Sequence, residues 1–338
     1  MRSYQVHKQG PIEANPLVMV ERDVEEPGIG QVRILVEACG ICHTDLHIAE
    51  GDLHPPNLPI TPGHQVIGKI DKIGPPKISG NDREEIWIGK KVGVAWLHTT
   101  CGTCVMCMSG SENLCENAKF TGFHLNGGFA ETMIADTSTL LPIPENCNPV
   151  DYAPFLCAGI VGYRAVKRAN VLDGDHIGLF GFGASAHLML QVLKARSCRV
   201  SVFTRSTAHQ NHATELGADW VGMPDQKPRD LLDNAILFTP AGESVVRALE
   251  RIRNGGTVSI NAIHMSDLPT IPYSLLYGEK TITSVTNATY QDAIEFLALA
   301  EKINLKTTVK PISFDELNAA MRDLKKSAII GEAVLKVI

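Results

Sequence analysis

The segment HIGLFGFGASAHLMLQVLKA, residues 176–195, decides the fold. Its first half, IGLFGFG, has the length and composition of a buried strand, and ASAHLMLQVLKA continues as a helix. Between them stands G-F-G-A-S-A at 181–186, a G-x-G-x-x-A variant of the dinucleotide fingerprint. The first Gly permits a tight turn, the second lets backbone approach a pyrophosphate, and the small last residue lets helix pack on strand. Because G-x-G also occurs in ordinary turns, as we expect for Gly28 and Gly30, this interpretation depends on the flanking strand and helix.

The strand–helix pattern continues along the chain beyond residue 195. Apolar strands are predicted at RVSVFT (199–204), AILFTP (235–240), GTVSINAI (256–263) and TITSVT (281–286), with helices at HQNHATELGA (209–218) and SVVRALERIR (244–253). Such alternation predicts an α/β fold with a doubly wound parallel sheet. The first ~150 residues instead carry short β-prone runs separated by Gly and Pro, such as QVRILVEACG and HQVIGKIDKIG, so we expect that half to be mostly β. The tail adds two helices, TYQDAIEFLALAEKI and ELNAAMRDLKKS, and a strand, GEAVLKVI.

The residues that end the second strand indicate which dinucleotide binds. Sites selective for NAD place Asp or Glu there to hold the ribose 2′-hydroxyl. This chain has Phe203-Thr204-Arg205-Ser206, with no acid. A guanidinium beside small hydroxyls suits a 2′-phosphate. We therefore expect NADP(H) in preference to NAD(H), the alternative being that Arg205 is an ordinary solvated side chain.

Four cysteines lie close together in CGTCVMCMSGSENLC, at Cys101, Cys104, Cys107 and Cys115. The C-x2-C-x2-C-x7-C spacing allows four thiolates to surround one zinc ion tetrahedrally, and such a closed site is structural. A zinc ribbon that binds nucleic acid would carry the same motif. The net charge of −6, the pI of about 6.1 and the lack of a Lys/Arg-rich run argue against a nucleic-acid partner.

The composition is that of a globular chain large enough for two domains. The 338 residues are 44% hydrophobic and 20% charged. The N-terminal stretch MRSYQVHKQGPIEANP lacks the apolar core of a signal peptide, and no apolar run is long enough to span a bilayer. We expect a cytoplasmic protein without a membrane partner, whose nine cysteines remain reduced or bind metal.

A second set of potential metal ligands is dispersed through the chain. ACGICHTDLH contains Cys42, His43, Thr44, Asp45 and His47, while PGHQ contains His64 and FLCAGIVGY contains Cys157. Two cysteines and one histidine would hold a zinc with its fourth position open, as catalytic zinc requires. Spacing alone does not establish that they converge, and a single His or Cys is more often part of a core.

With these motifs in order, the chain resembles the zinc-dependent alcohol dehydrogenases of the medium-chain dehydrogenase/reductase superfamily. The resemblance extends over nearly the whole length and is carried by CGICHTDLH, PGHQVIGKI, the cysteine quartet, GGFAE, LCAGIVGYRA, GFGASAH, ELGADW and GEAVL. It implies a GroES-like β-barrel catalytic domain at 1–150 and 288–338, with a structural-zinc lobe. It also implies a Rossmann domain at 151–287, a cleft between the domains, and a homo-tetramer or homo-dimer with TITSVT at its interface.

The resemblance also implies roles for individual residues. Cys42, His64 and Cys157 would bind the catalytic zinc and the quartet the structural zinc, giving two zinc ions per chain. Thr44 would bond the substrate oxygen, His47 would pass the proton to solvent through the cofactor ribose, and Asp45 would orient His64. The substrate pocket would include Leu53, Trp96 and Leu97, with Leu53 leaving room for bulky aliphatic or aromatic substrates. The expected cofactor contacts are His43, Val161, Gly181, Phe182, Gly183, Ala184, Ser185, Thr204, Arg205, Thr239 and Ile263.

Several positions depart from the family pattern. Gln65 stands where a Glu usually follows the ligand His, so we expect the metal to lose a neighbouring negative charge, to be more electrophilic and to exchange ligands less readily. Glu332 stands where an Arg often reaches the pyrophosphate. His43 replaces an Arg of some relatives, Val161 replaces a common Thr, and Ser185 replaces an apolar residue. Pyrophosphate binding would then depend on the helix N-terminus and on Arg205 at the far end.

The expected function is zinc-dependent interconversion of small alcohols with aldehydes or ketones, by hydride transfer with NADP(H) or, alternatively, NAD(H). A polyol dehydrogenase of the same superfamily is the first alternative, although such enzymes often use a carboxylate near the zinc that Gln65 does not provide. A non-catalytic binding protein with this fold is the second, and the intact ligand and relay residues argue against it. A redox sensor is a third, but six of the nine cysteines already have a metal role.

Overall fold

The computed structural model describes residues 1–77 and 86–338, which form two compact units. The first unit comprises Met1–Cys157, Thr289–Ile294 and Thr307–Ile338, and the second comprises Ala158–Ala288 and Glu295–Lys306. Relative to the predicted boundaries, the chain enters the second unit seven residues later, and its tail crosses back once more, over residues 295–306. None of the helices in the described ranges combines the length and apolar character needed to traverse a membrane.

The first unit is mostly β, as the short β-prone runs predict. Its strands are β1 (Arg2–Val6), β2 (Leu17–Glu21), β3 (Gln31–Ile41), β4 (Val66–Ile73), β5 (Lys91–Val94), β6 (Leu97–Thr99), β7 (Lys119–Phe120), β8 (Thr132–Asp136) and β9 (Leu141–Pro142). Its helices are α1 (His43–Glu50), α2 (Val105–Met108) and α3 (Pro149–Tyr152). The long strand β3 lies at the centre, because it pairs antiparallel with both β4 and β8.

The second unit is a parallel sheet with intervening helices, which confirms the doubly wound α/β prediction. In chain order it contains α4 (Ala158–Arg168), β10 (His176–Phe180), α5 (Ala184–Ala195), β11 (Arg199–Phe203), α6 (Thr207–Glu215), β12 (Trp220–Gly222), β13 (Asn234–Leu237), α7 (Glu243–Leu249), β14 (Thr257–Ile260), α8 (Tyr273–Leu276) and β15 (Thr281–Ser284). The strand order is β12-β11-β10-β13-β14-β15. The order therefore reverses between β10 and β13, which is the switch point where ligands bind in open parallel sheets.

The tail contributes α9 (Tyr290–Lys302), β16 (Val309–Ser313), α10 (Leu317–Lys325) and β17 (Glu332–Lys336). Strand β17 pairs antiparallel with β3, with Ala333 opposite Ile41 and Leu335 opposite Cys39. These strand residues are buried, so the pairing is part of the core of the first unit. The end of the chain is thereby brought beside the start of α1.

Candidate functional site

Cys42, His64 and Cys157 come together in the first unit. Cys42 caps the N-terminus of α1, His64 lies just before β4, and Cys157 follows a 3-10 turn. Their ligand atoms all lie within 4.8 Å of one another. His64 is fully buried, whereas both cysteines are partly exposed, so the cluster has an accessible side. The convergence that spacing could not establish is thus present in the fold.

The cluster offers two sulfurs and one imidazole nitrogen, which are ligands that zinc prefers. His64 Nδ1 lies 3.2 Å from the Asp45 carboxylate, which assigns the ring proton to that nitrogen. The other nitrogen, Nε2, is buried and has no hydrogen-bond partner among the described residues. A buried lone pair without a donor is unfavourable, and a metal ion held with the two sulfurs would satisfy it.

The Asp45 carboxylate contacts both Cys42 and His64. The carboxylate is buried, and its Oδ1 accepts a hydrogen bond of 2.9 Å from the Gly63 N–H while also facing His64. Its Oδ2 accepts a hydrogen bond of 3.0 Å from the Cys42 N–H. Burial lowers the pKa of His64, but the Asp45 carboxylate and the Cys42 sulfur outweigh it and raise that pKa to about 10. The pocket therefore favours positive charge.

The expected proton-relay residues lie on α1, next to Cys42. Thr44 is buried, and its Oγ1 lies 3.7 Å from Cys42 Sγ. His47 is in the last turn of the helix, where its Nδ1 is 2.8 Å from the Asp52 carboxylate. His43 is exposed, and its ring centroid is 6.5 Å from that of His47. Asp52 was not among the residues expected from the sequence, because nothing in E-G-D-L indicates that the loop turns back onto the helix.

Aromatic side chains pack beside His64. The Trp96 ring meets the imidazole edge-on at a centroid distance of 4.8 Å and stacks on Phe120 at 5.3 Å. Phe123 adds a third ring, 5.9 Å from Trp96. Of the expected pocket residues, Leu53 packs on the same core, and Leu97 pairs with Phe120 between β6 and β7. Phe120 and Phe123 were not predicted, although K-F-T-G-F places two aromatic residues close to the quartet.

A second buried carboxyl group, that of Glu332, lies beside Gln65. Both side chains are buried, and a Cβ built at Gly40 would lie 2.7 Å from Gln65 Nε2 and from Glu332 Oε1. Because Ala333 pairs with Ile41, Glu332 comes level with Cys42 in the ladder. Burial raises the pKa of Glu332 well above its usual range, and the Cys42 thiolate raises it further. A carboxyl group is therefore present near the cluster, but its raised pKa favours the neutral form, so the expected loss of a negative charge at position 65 stays a prediction.

The cysteine quartet forms a separate cluster in the first unit. The Sγ–Sγ distances are 3.5 Å for Cys104–Cys107, 3.6 Å for Cys101–Cys115 and 3.9 Å for Cys101–Cys107. Four sulfurs around zinc at its usual bond length would be roughly 3.8 Å apart, so the spacing fits. The backbone N–H groups of Thr103 and Cys104 lower the pKa of Cys101 to about 6, which favours the thiolate.

The Gly-rich turn of the second unit lies at the sheet's switch point. Gly181 follows β10 with φ +91, and its N–H donates to the Phe203 carbonyl over 2.8 Å. A Cβ there would be 3.1 Å from Phe238 and 3.3 Å from Thr239 N, so the close approach requires glycine. Gly183 caps α5, and a Cβ built on it would meet nothing within 4 Å. The open space at the N-terminus of this 12-residue helix fits a pyrophosphate.

The other expected cofactor residues are distributed around that turn. Thr204 and Arg205 follow β11, Thr239 follows β13, and Ile263 follows β14, so all lie beyond the carboxyl ends of parallel strands. Ala184 and Ser185 open α5, and Val161 lies in α4. Arg205 and Ile263 are exposed. The Phe182 ring is buried against His212, so that only its backbone remains to face a ligand.

The chain is similar to known proteins along nearly its whole length. Residues 28–145 match the family described as alcohol dehydrogenase GroES-like domain. The chain is 37% identical over 336 residues to a probable alcohol dehydrogenase, AdhA, of Mycobacterium tuberculosis, covering 99% of this chain and 97% of that protein.

Solved structures show the same fold. A CAD from Helicobacter pylori, complexed with NADP(H), has a TM-score of 0.88 at 21% identity, covering 99% of this chain and 97% of that one. Acetophenone reductase from Geotrichum candidum, in complex with NAD, has a TM-score of 0.87 at 24% identity, covering 99% and 96%.

Metal content tests the two clusters independently. We expect two zinc ions per chain, one for each group of ligands. Cys42→Ser should retain about one zinc ion per chain and keep its melting temperature within a few degrees. Cys104→Ser should also lose one zinc ion, but its melting temperature should be distinctly lower, because a closed structural site contributes to folding. Elemental analysis and thermal melting measure both. Cys147→Ser, outside both groups, is the control, and a quartet variant that keeps two zincs would contradict the assignment.

Proposed function

Because the chain belongs to the zinc-type alcohol dehydrogenases of the medium-chain dehydrogenase/reductase superfamily, we propose that it interconverts bulky alcohols with aldehydes or ketones, using NADP(H) in preference to NAD(H). The observation that carries the proposal is the convergence of Cys42, His64 and Cys157 with an accessible side. In this proposal the first unit is catalytic and the second binds the dinucleotide.

Zinc and the nicotinamide cofactor would supply the central chemistry when bound. Zinc held by Cys42, His64 and Cys157 would act as a Lewis acid on the substrate oxygen, and the nicotinamide would exchange a hydride with the substrate carbon. The chain's own task is to bind, orient and move a proton. The Asp45 carboxylate accepts a hydrogen bond from His64 Nδ1 and so leaves Nε2 as the nitrogen available to the metal. The Thr44 hydroxyl would accept the substrate's proton, and His47 would release it to water.

The preference for NADP(H) depends on Arg205. Its guanidinium is exposed beyond the carboxyl end of β11, where NAD-selective sites place an acid. Ser206 caps α6 by accepting from the His209 N–H, so the hydroxyl and the helix N-terminus are close in sequence to the cation. A 2′-phosphate would be attracted by both. Similar structures hold either NADP(H) or NAD, so the fold alone does not decide between them.

Arg205→Ala should therefore affect the two cofactors differently. We expect the Michaelis constant for NADPH to rise about tenfold or more, because a charge-assisted contact to phosphate is lost, while that for NADH changes less than twofold. Arg205→Lys should give an intermediate value for NADPH, since the point charge remains but the bidentate contact does not. Equal effects of Arg205→Ala on both cofactors would show that this side chain does not read the phosphate.

The substrate class follows from the rings beside His64. Trp96, Phe120 and Phe123 are partly exposed and, with Leu53, provide apolar surface close to the metal ligands. Apolar and aromatic substrates would bury surface against these rings, and polyhydroxylated substrates would not. A carboxyl group does stand near the ligands at Glu332, which favours a polyol dehydrogenase as the second candidate.

A substrate panel separates these candidates. We expect kcat/KM with NADPH to be at least tenfold higher for benzaldehyde-like, long aliphatic and terpenoid aldehydes than for sugars reduced to polyols. Phe120→Ala should lower kcat/KM for the aromatic aldehydes several-fold more than for acetaldehyde, because the small substrate does not reach the stacked rings. A preference for polyol substrates would support the alternative, and no turnover of any carbonyl or alcohol by the zinc-loaded protein would contradict the proposed activity.

We also propose that the chain forms a homo-oligomer through the edge of the parallel sheet. Strand β15 is the last strand of that sheet, and the nearby Tyr273 and Tyr277 are 73% and 75% exposed. Unpaired edges and large exposed rings are features of association surfaces. The molar mass measured by light scattering distinguishes a dimer from a tetramer, and a monomeric mass would exclude both.

A further inference from the structure

We propose that Asp52 is a positioning residue for proton transfer, holding His47 with its proton on Nδ1 so that Nε2 is the nitrogen that exchanges the substrate's proton. The inference rests on the relay role proposed above for His47. It assigns a second residue to the relay, from the loop that follows α1.

The contact between the two side chains is short. His47 Nδ1 lies 2.8 Å from Asp52 Oδ2, with side-chain exposures of 17% for the histidine and 44% for the aspartate. The imidazole is thus largely enclosed, while the carboxylate is solvated. This carboxylate faces His47, and so does the His43 ring, 6.5 Å away between centroids.

The backbone of the loop after α1 holds Asp52 close to His47. Gly51 ends α1 with φ 103, a conformation that glycine adopts without strain. The His47 carbonyl then accepts hydrogen bonds from the Gly51 N–H at 3.0 Å and from the Leu53 N–H at 3.1 Å. Asp52 lies between these two residues, so both of its neighbours are anchored to the residue that its side chain contacts.

The Gln9 side chain forms hydrogen bonds to the backbone of both α1 and the loop that follows it. Its Nε2 donates to the carbonyls of Ile48 and Leu53, each over 2.7 Å. One amide therefore joins the helix to the residue that follows Asp52. The backbone around the His47–Asp52 pair is held at both ends, which limits the freedom that an exposed pair usually has.

The carboxylate selects the tautomer. An ionised Asp52 can only accept, so Nδ1 must carry the proton and Nε2 the lone pair. In alcohol oxidation the hydroxyl proton would leave through Thr44, reach His47 Nε2 by way of the bound cofactor's ribose and pass from there to water, and the oxidised nicotinamide would be the hydride acceptor. Asp52 exchanges no proton. It stabilises the imidazolium that exists between the two transfers.

The test compares Asp52→Asn with Asp52→Glu and with Asp323→Asn, measuring kcat/KM for alcohol oxidation against pH. Asp323 is a matched control, because it forms a surface ion pair with Lys310 and is 43% exposed. We expect Asp52→Asn to lower kcat/KM about five- to tenfold, since the amide can donate to Nδ1 and favour the wrong tautomer. Its pH profile should differ in shape from that of the wild type. Asp52→Glu should recover most of the rate, and Asp323→Asn should behave as wild type.

His47→Gln separates this inference from the function on which it rests. We expect it to slow oxidation more than Asp52→Asn does, and we expect Asp52→Asn to cause no further loss in the His47→Gln background. If Asp52→Asn matches Asp323→Asn, or if its effect persists without His47, the positioning role is wrong while the relay stands. If His47→Gln itself leaves oxidation unchanged, the relay fails and the role of Asp52 with it. Unchanged melting temperatures would exclude unfolding as the cause of any loss.

Discussion

A buried carboxylate, that of Asp45, is the constraint on which the metal pocket depends. Burying an unpaired charge is costly, and the fold offsets that cost with the Cys42 and Gly63 N–H groups, the His64 ring and the N-terminus of α1. These same contacts position Cys42 and His64, two of the three candidate metal ligands. The negative charge of Asp45 also makes the pocket favourable for a cation. The same carboxylate therefore positions the surrounding residues and favours a positively charged occupant.

Strand β3 brings the rest of the pocket to Asp45. It leads directly into Cys42 at its end, it pairs with β4 on one side, and that strand follows His64 and Gln65. On the other side β17 carries Glu332 to the level of Cys42. The carboxyl group that is missing at position 65 is therefore present nearby, on a segment more than 260 residues away in sequence. Gln65 and Glu332 are best understood as one unit, because both side chains pack over Gly40.

The second unit works on a different principle. Its ligand surface is mostly backbone, with the turn at Gly181, the open N-terminus of α5 and the loops after β11 and β13 all at the switch point of one parallel sheet. Backbone geometry of this kind accepts any dinucleotide pyrophosphate. In the proposed function, discrimination between NADP(H) and NAD(H) would depend on the side chains after β11, where Arg205 stands without an acid in the four residues from 203 to 206.

Features that depend on residues close together in the chain could be predicted from the sequence alone. The quartet was predictable because four ligands within one loop need no long-range fold to meet, and the parallel sheet was predictable because buried strands are apolar runs that alternate with helices. The convergence of Cys42, His64 and Cys157 came only from resemblance, since spacing carries no information on which distant segments pack together. Only the tertiary structure decided that Asp52 reaches His47, that Phe120 stacks on Trp96, and that Glu332 lies beside Gln65. Each of these depends on loop closure or on strand register, which are set by the packing of the whole unit.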